Sequence, residues 1–347
     1  MIEVADKKSS KVVLPDDRQK LFVVTVTYGD RAELLKAMLT AVSAEGILDV
    51  VVVDNAALHS ADVLQAAFPS LHLHVAKMGR NTGSAVGFAK GIEVALASGA
   101  EMVWLLDDDN RPLPGALTTL VQSYKQLSAR WSKSQLAVLA FRPEHQADVA
   151  KGLASGRINP RPSSFLGFHV LDLPRKLKQR ILGARRIREV PATVGLDIAP
   201  YSGLMLHRDA IEVIGLPRAD FVLYSDDVEW SYRITRMGGQ IMLIAGAQIE
   251  DMESSWNVKR EGGSALSVML DGPGDFRAYY GVRNASFFFT HLTAGNELIK
   301  WLNRRLYVLL LWIVSRRRGR RARYRLLRRA IRDGVAGRLG MSEEFPL

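Results

Sequence analysis

The sequence predicts an α/β protein built on a mostly parallel central sheet with helices on both faces. Three observations predict it. β-Branched runs alternate with stretches of helical spacing through the first 140 residues. Several of these runs end in a polar or acidic turn. The apolar fraction, 48%, suits a chain that buries a real core.

Taken in order, Leu21–Thr27 is a β-branched run that stops at Tyr28-Gly29-Asp30. Arg31–Ser43 then spaces Leu34, Leu35, Met38, Leu39 and Val42 for one helical face. Asp49–Val53 is a buried strand ending at Asp54-Asn55, Ala61–Phe68 a short helix and Leu71–Ala76 a third strand. Gly83–Ser98 reads as a helix, Met102–Leu106 as a strand ending in Asp107-Asp108-Asp109, and Pro114–Ser128 as another helix. Leu136–Ala140 is a further strand. Phe141 to Pro191, rich in Gly, Pro, Ser and Arg, interrupts the pattern with a basic stretch at Arg175–Arg188. Order returns at Pro200–Arg208, in a helix from Asp226 to Met237, and in a strand at Gln240–Ala245. There is no internal repeat. In a parallel sheet, ligands bind outside the carboxyl ends of the strands, where Tyr28, Asp54 and Asp107–Asp109 all fall.

Composition narrows the function. The absence of cysteine excludes disulfides, thiolate metal sites and cysteine nucleophiles. The net charge of +11 is local: Lys300 to Arg332 holds thirteen Lys or Arg and no Asp or Glu, and the remainder is near neutral. A local basic block suits anionic lipid or nucleic acid. The polar N-terminus lacks a signal-peptide core. No apolar run reaches the roughly 20 residues needed to cross a bilayer; Leu306–Val314 is the longest candidate.

Four segments carry chemistry. Asp107-Asp108-Asp109 sets three mutually repelling carboxylates at a strand end, an arrangement that a cation or a hydrogen-bond network must neutralise. Mg²⁺ and Mn²⁺ take oxygen ligands, one or two carboxylates plus substrate phosphates. Arg80 to Gly91 opens a helix with small residues, so backbone can approach a phosphate, or serves helix packing alone. Tyr224 to Trp230 opens a helix with Asp226, Asp227 and Glu229, more acid than a cap requires; a carboxylate there can act as general base, and Arg233 can pair with Asp226 or Glu229. Glu250 to Trp256 offers Asp251 as a further metal ligand or is an exposed acidic loop. His59, His72, His74 and His145 read as surface or packing residues.

With these segments in view, the chain resembles the family 2 glycosyltransferases of GT-A fold, most closely bacterial galactofuranosyl- and rhamnosyltransferases. The resemblance lies in Val24–Tyr28, Val51–Asn55, Asn81–Phe88, Trp104–Asp109 and Asp226–Glu229 with Arg233, in family order from Leu21 to Trp256, with an echo in Phe276–Asn284. It implies a catalytic domain over residues 21–258, with a nucleotide-binding half at 21–140 and an acceptor-binding half at 191–258. A polar tail at 1–20 would precede it, and a helical, membrane-associating region at 259–347 would follow. It implies that Thr25, Tyr28, Asp54, Asn81, Gly83, Asp107 and Asp108 contact a UDP- or dTDP-linked sugar. Asp107 and Asp109 would hold Mn²⁺ or Mg²⁺, with Asp251 where relatives often carry a metal-binding His. Asp227, or Asp226 as second choice, would be the catalytic base, and Glu229 and Trp230 would shape the pocket of a glycan or lipid-linked acceptor. The expected enzyme inverts the anomeric configuration in cell-surface polysaccharide synthesis.

The Arg-rich segment with Trp301, Tyr307 and Trp312 suits a helix lying on the cytoplasmic face of the inner membrane, or a hairpin packed on the catalytic body. Two other functions are weighed. A nucleotidyltransferase acting on sugar phosphates usually has a Gly- and Arg-rich loop after its first strand, a character that Thr27–Arg31 lacks. Nucleic-acid binding through the tail conflicts with a near-neutral body bearing acidic clusters, so no nucleic-acid partner is expected.

Overall fold

The computed structural model describes residues 20–59, 64–146, 159–174, 191–253, 265–272 and 274–347. The basic stretch Arg175–Arg188, Trp256, the boundary at 258 and nearly all of the N-terminal tail lie outside the described residues.

The first half alternates as expected. β1 (Leu21–Gly29), α1 (Ala32–Ala44), β2 (Asp49–Ala57), α2 (Leu64–Ala67), β3 (His72–Lys77), α3 (Ser84–Ala97) and β4 (Met102–Leu105) follow one another. β1 pairs in parallel with β2 and β4, and β2 with β3. β1 and β2 are β-branched runs because both their faces are largely buried. Val23, Val50 and Val52 face α1, while Val24, Val51 and Val53 lie in the core under α3.

The second half is mixed. β5 (Asn110–Pro112) and α4 (Ala116–Leu127) lead to β6 (Leu136–Phe141), then β7 (Thr193–Leu196), β8 (Leu204–His207), α5 (Arg208–Ile214), α6 (Asp226–Arg236) and β9 (Gln240–Asp251). The strand order is β3-β2-β1-β4-β8-β6-β9-β5, with β7 also on β9. β8 runs antiparallel between β4 and β6, and β6 and β9 are parallel. β9 extends well past the expected end at Ala245, because its second half pairs with β5, a strand too short for periodicity to reveal. Asp251 is thus the last residue of a strand, opposite Asn110.

Four C-terminal helices, α7 (Ala265–Asp271), α8 (Asp275–Phe287), α9 (Glu297–Arg317) and α10 (Arg321–Val335), build a third apolar cluster with Phe165, Ile198 and Val222. Tyr307, Leu311, Leu327 and Ile331 face into it, so this region folds back on the body. The opposite side of α9 leaves Leu298, Trp301, Leu302, Leu309 and Trp312 exposed. No helix among the described residues is long and apolar enough to cross a membrane.

Candidate active site

The crevice opens where the strand order turns outward in both directions from β1 and β4, beyond their carboxyl ends. On its floor sits the triple-aspartate turn. Asn110, fully buried, closes this turn twice: its N–H donates to the Asp107 carbonyl at 3.0 Å, and its Oδ1 accepts from the Asp107 N–H at 2.9 Å. The Met252 N–H donates to the Asp109 carbonyl at 2.8 Å, tying the turn to β9.

The three carboxylates have different fates. Asp108 is buried and takes both its oxygens to Arg31 Nε, at 2.8 and 2.9 Å. Burial pushes it up to about 6, against the pull of Arg31. Asp108, expected among the donor contacts, has both carboxylate oxygens on Arg31. Asp107 accepts a short hydrogen bond from Ser202 Oγ. Asp109 lies 3.2 Å from Arg31 Nη2, and burial together with the Asp107 charge pushes it up to about 7. Arg31 also pairs with Glu253 and lies over the half-exposed Tyr28 ring at 5.3 Å. No sequence pattern singled out Arg31, which is contiguous with the helical spacing of α1.

Asp251 has its own partners. Its Oδ1 accepts from Asn110 Nδ2 at 2.8 Å and from Arg142 Nη1 at 3.0 Å, and His145 Nε2 lies 3.0 Å from Oδ2. Burial alone would raise its carboxyl; His145 and Arg142 outweigh that and hold it below the ordinary carboxylate range. His145, read as a packing residue, therefore belongs to the rim of this site. Among the described residues no three His, Asp or Glu side chains gather around a point that could hold a metal. What remains suits a hard cation held by Asp107 and Asp109 and completed by phosphate oxygens. Asp107 and Asp109, the second raised by burial and by the Asp107 charge, offer oxygen donors of the kind a hard cation takes.

The side of the crevice between β2 and α3 is built on Asn55, to which the sequence assigned no role of its own. Its Oδ1 accepts from the Thr82 N–H and from Thr82 Oγ1, each at 2.9 Å, and its Nδ2 donates to Asn81 Oδ1 at 3.0 Å. Asn81 Oδ1 in turn accepts from the Gly83 N–H at 3.1 Å. The Asn81–Gly83 loop is thus fixed from beneath. Asp54 Oδ1 accepts from the Ala57 N–H at 2.9 Å, and the buried Thr25 hydroxyl has no partner among the described residues.

The second acidic cluster closes on the first. Ser84 Oγ, at the start of α3, donates to Asp226 Oδ2 at 2.9 Å. Asp227 Oδ1 accepts from the Val228 N–H at 2.8 Å. Burial drives both carboxyls above the ordinary range; Asp227 adds to the rise at Asp226, and Asp107 to that at Asp227. Asp107 and Arg142 are thus within electrostatic reach of Asp227. Glu229 takes both its oxygens to Arg233, at 3.0 and 2.6 Å. Trp230 is fully buried and donates through Nε1 to the Gly215 carbonyl at 2.7 Å. Both residues, expected to shape the acceptor pocket, are engaged with Arg233 and with the Gly215 carbonyl.

The approach to α6 is strained. Val222, Tyr224 and Ser225 have φ of 65°, 65° and 61°. At Val222 the Leu223 N–H donates to the Phe221 carbonyl at 2.7 Å, a γ-turn. A positive φ at a β-branched residue is a genuine outlier, and each residue held so costs on the order of 1–3 kcal/mol.

With this geometry in place, residues 22–136 match the family model described as Glycosyl transferase family 2. The chain carries a family 2 glycosyltransferase domain. Its architecture, a parallel half joined to a mixed half, is of GT-A type. The chain is 25% identical over 228 residues to galactofuranosyltransferase GlfT1 of Mycobacterium tuberculosis, a match covering 63% of this chain and 66% of the relative. It is 26% identical to GlfT1 of Mycolicibacterium smegmatis over 46% of each chain. The match thus spans less than two thirds of either GlfT1. It is 23% identical to dTDP-rhamnosyl transferase RfbF of Shigella flexneri, over 76% of this chain and 78% of that one. Among solved structures, GalNAc-T7 with UDP, GalNAc and Mn²⁺ superposes at a TM-score of 0.47 and 12% identity, over 82% of this chain and 54% of that one. S. aureus TarS 1–349 with UDP-GlcNAc gives 0.43 and 15%, over 81% and 69%.

Proposed function

We propose that this glycosyltransferase moves galactofuranose or rhamnose from a UDP- or dTDP-linked donor to a glycan or lipid-linked acceptor, with inversion, in cell-surface polysaccharide synthesis. The observation that carries the reading is the meeting of the Asp107–Asp109 turn and the Asp226–Asp227 pair across one crevice, close enough for Asp107 to raise the Asp227 carboxyl. The names of GlfT1 and RfbF support the choice of sugars.

In this reading the nucleotide lies along Thr25, Tyr28, Asp54 and the Asn81–Gly83 loop. Asp107 and Asp109 would hold a Mn²⁺ or Mg²⁺ ion, which when bound would supply charge neutralisation for the departing diphosphate. Asp227 accepts the proton of the acceptor hydroxyl as its oxygen bonds to the anomeric carbon and the bond from that carbon to the diphosphate breaks. A carboxyl raised by burial is a stronger base than one in water, and its position against the hydroxyl supplies the rest. Asp226 is the second choice: its Oδ2 is tied to Ser84 on α3, whereas the hydrogen bond to Asp227 Oδ1 comes from its own helix turn. Arg31 keeps charge beside Asp108 and Asp109 balanced, and Asp251 with Arg142 and His145 walls the crevice. Residues 21–258 form the catalytic body in this reading.

The region 259–347 docks it on the cytoplasmic face of the membrane. The support is the outward face of α9, where Arg305 lies over Trp301 and Arg316 over Trp312, each at 5.3 Å.

The test is a transfer and donor-hydrolysis screen with UDP-galactofuranose, dTDP-rhamnose and other sugar nucleotides, with Mn²⁺, Mg²⁺ or EDTA. Release of nucleoside diphosphate from a galactofuranose or rhamnose donor, lost in EDTA, is expected. Release of pyrophosphate from a nucleoside triphosphate and a sugar phosphate would instead make the protein a nucleotidyltransferase.

A further inference from the structure

We propose that Asn284 is a positioning residue that holds the left-handed turn Val222–Ser225, and thereby aims Asp227 and locks the turn to the glycine loop on the donor side. The aiming role rests on the proposed function; the holding role does not.

Asn284 lies near the end of α8, in the helical region that follows the catalytic body, and is fully buried. Its Nδ2 stands 2.7 Å from the Phe221 carbonyl, 2.9 Å from that of Leu223 and 2.9 Å from that of Tyr224. An amide nitrogen has two hydrogens, so one is shared. Its Oδ1 accepts from Arg283 Nε at 2.9 Å, which fixes which way the amide points. Arg283 adds a bond from Nη2 to the Phe221 carbonyl at 3.3 Å and one from Nη1 to the Gly340 carbonyl at 2.5 Å. A single side chain thus gathers three carbonyls of a segment whose backbone resists that shape at Val222, Tyr224 and Ser225. Without the amide, all three carbonyls would lose a buried donor, the Phe221 carbonyl keeping the Leu223 N–H and Arg283 Nη2, and the turn could relax toward negative φ.

The turn is joined to the donor side by the carbonyl that Asn284 leaves free. Val222 O accepts from the Ala85 N–H in the first turn of α3 at 3.2 Å. It enters the space over Gly83, where a Cβ would lie 2.0 Å from it. One residue on, Ser84 donates to Asp226. Relaxation at Val222 would therefore shift Asp226 and Asp227 away from the crevice and loosen the start of α3.

The experiment uses the full chain with Asn284→Ala, Val222→Gly and the double variant, read by steady-state transfer and by hydrogen–deuterium exchange over residues 219–228. Asn284→Ala is expected to lower kcat about 10- to 100-fold, with donor KM changed by less than about threefold, and to raise exchange in 219–228. Glycine accepts positive φ without strain, so Val222→Gly in the Asn284→Ala background is expected to recover kcat by about tenfold. Unchanged exchange in 219–228, kcat within about twofold of wild type, or a rate loss that Val222→Gly does not relieve would overturn the proposal. Should Asn284→Ala not fold, Asn284→Ser, which keeps one donor, is read the same way. A wild-type protein inactive with every sugar nucleotide would sink the proposed function alone; exchange in 219–228 would then decide whether Asn284 holds the turn.

Discussion

Replacing Asp109 with Asn is expected to stabilise the metal-free protein at alkaline pH far more than at acid pH. Asp109 stands among Asp107, Asp108 and Asp251, and burial with these charges lifts its carboxyl from 3.8 to about 7 despite Arg31. Between those two values the folded protein holds a proton that the unfolded chain has released. Raising the pH through this window therefore costs stability, and the loss is complete above pH 7. At about 1.4 kcal/mol per unit, the whole window corresponds to about 4 kcal/mol, of which about 3 kcal/mol falls between pH 5 and pH 8. Taking roughly 2 °C per kcal/mol, the low end for larger domains, the melting temperature of Asp109→Asn relative to wild type should rise by about 5 °C from pH 5 to pH 8. The assay is thermal unfolding of both proteins in EDTA at the two pH values. Added Mn²⁺ should then stabilise wild type at pH 8 and leave the variant nearly unmoved, since an ion that binds only the folded state raises stability by mass action. A gap that does not change with pH, or a variant less stable than wild type at pH 8 in EDTA, would refute the placement of this carboxyl in a repelling, cation-seeking cluster.

Three further outcomes are expected. Asp227→Asn should lower kcat by about 10²- to 10⁴-fold with nucleoside diphosphate affinity nearly unchanged by calorimetry, whereas Asp226→Ala should also lower thermal stability by releasing Ser84. Gly83→Ala should destabilise the protein by at least about 2 kcal/mol in denaturant titration, because its φ is +85° and the new Cβ would lie 2.0 Å from the Val222 carbonyl. Trp301→Ser with Trp312→Ser should weaken co-sedimentation with phosphatidylglycerol vesicles several-fold while leaving melting temperature nearly unchanged, since both rings are about half exposed; equal binding would remove α9 from the membrane contact.

The parallel half of the fold was legible because burial on both faces leaves a run of Val, Ile and Leu bounded by turn residues, as in Val50–Val53. The ends of those strands marked the crevice, so Asp54, Asp107 and Asp109 could be assigned to one place before any coordinates. The mixed half was harder to read. β5 is three residues including a proline, and β7 is four, so neither carries a period. Missing β5 truncated β9 in the reading and made Asp251 a loop residue. Asn110, Arg142 and His145 were invisible for a related reason. Their meaning lies in converging on Asp251 from β5 and the end of β6, and no local pattern signals convergence across 109 or 141 positions of chain.

The turn before α6 shows a different limit. A left-handed segment is normally announced by glycine or asparagine, and here Val222, Tyr224 and Ser225 occupy it. The compensation lies 60 residues later in Asn284, on a helix of the region assigned from sequence to membrane contact. The same region seats Val222 and Tyr224 in its own apolar cluster with Tyr280 and Phe345. A helical appendage that only carried the enzyme to a bilayer would have no cause to reach the residue two positions before the candidate acid pair. The geometry therefore makes the C-terminal helices part of the folded body that shapes the crevice, and removing them should cost the crevice its shape.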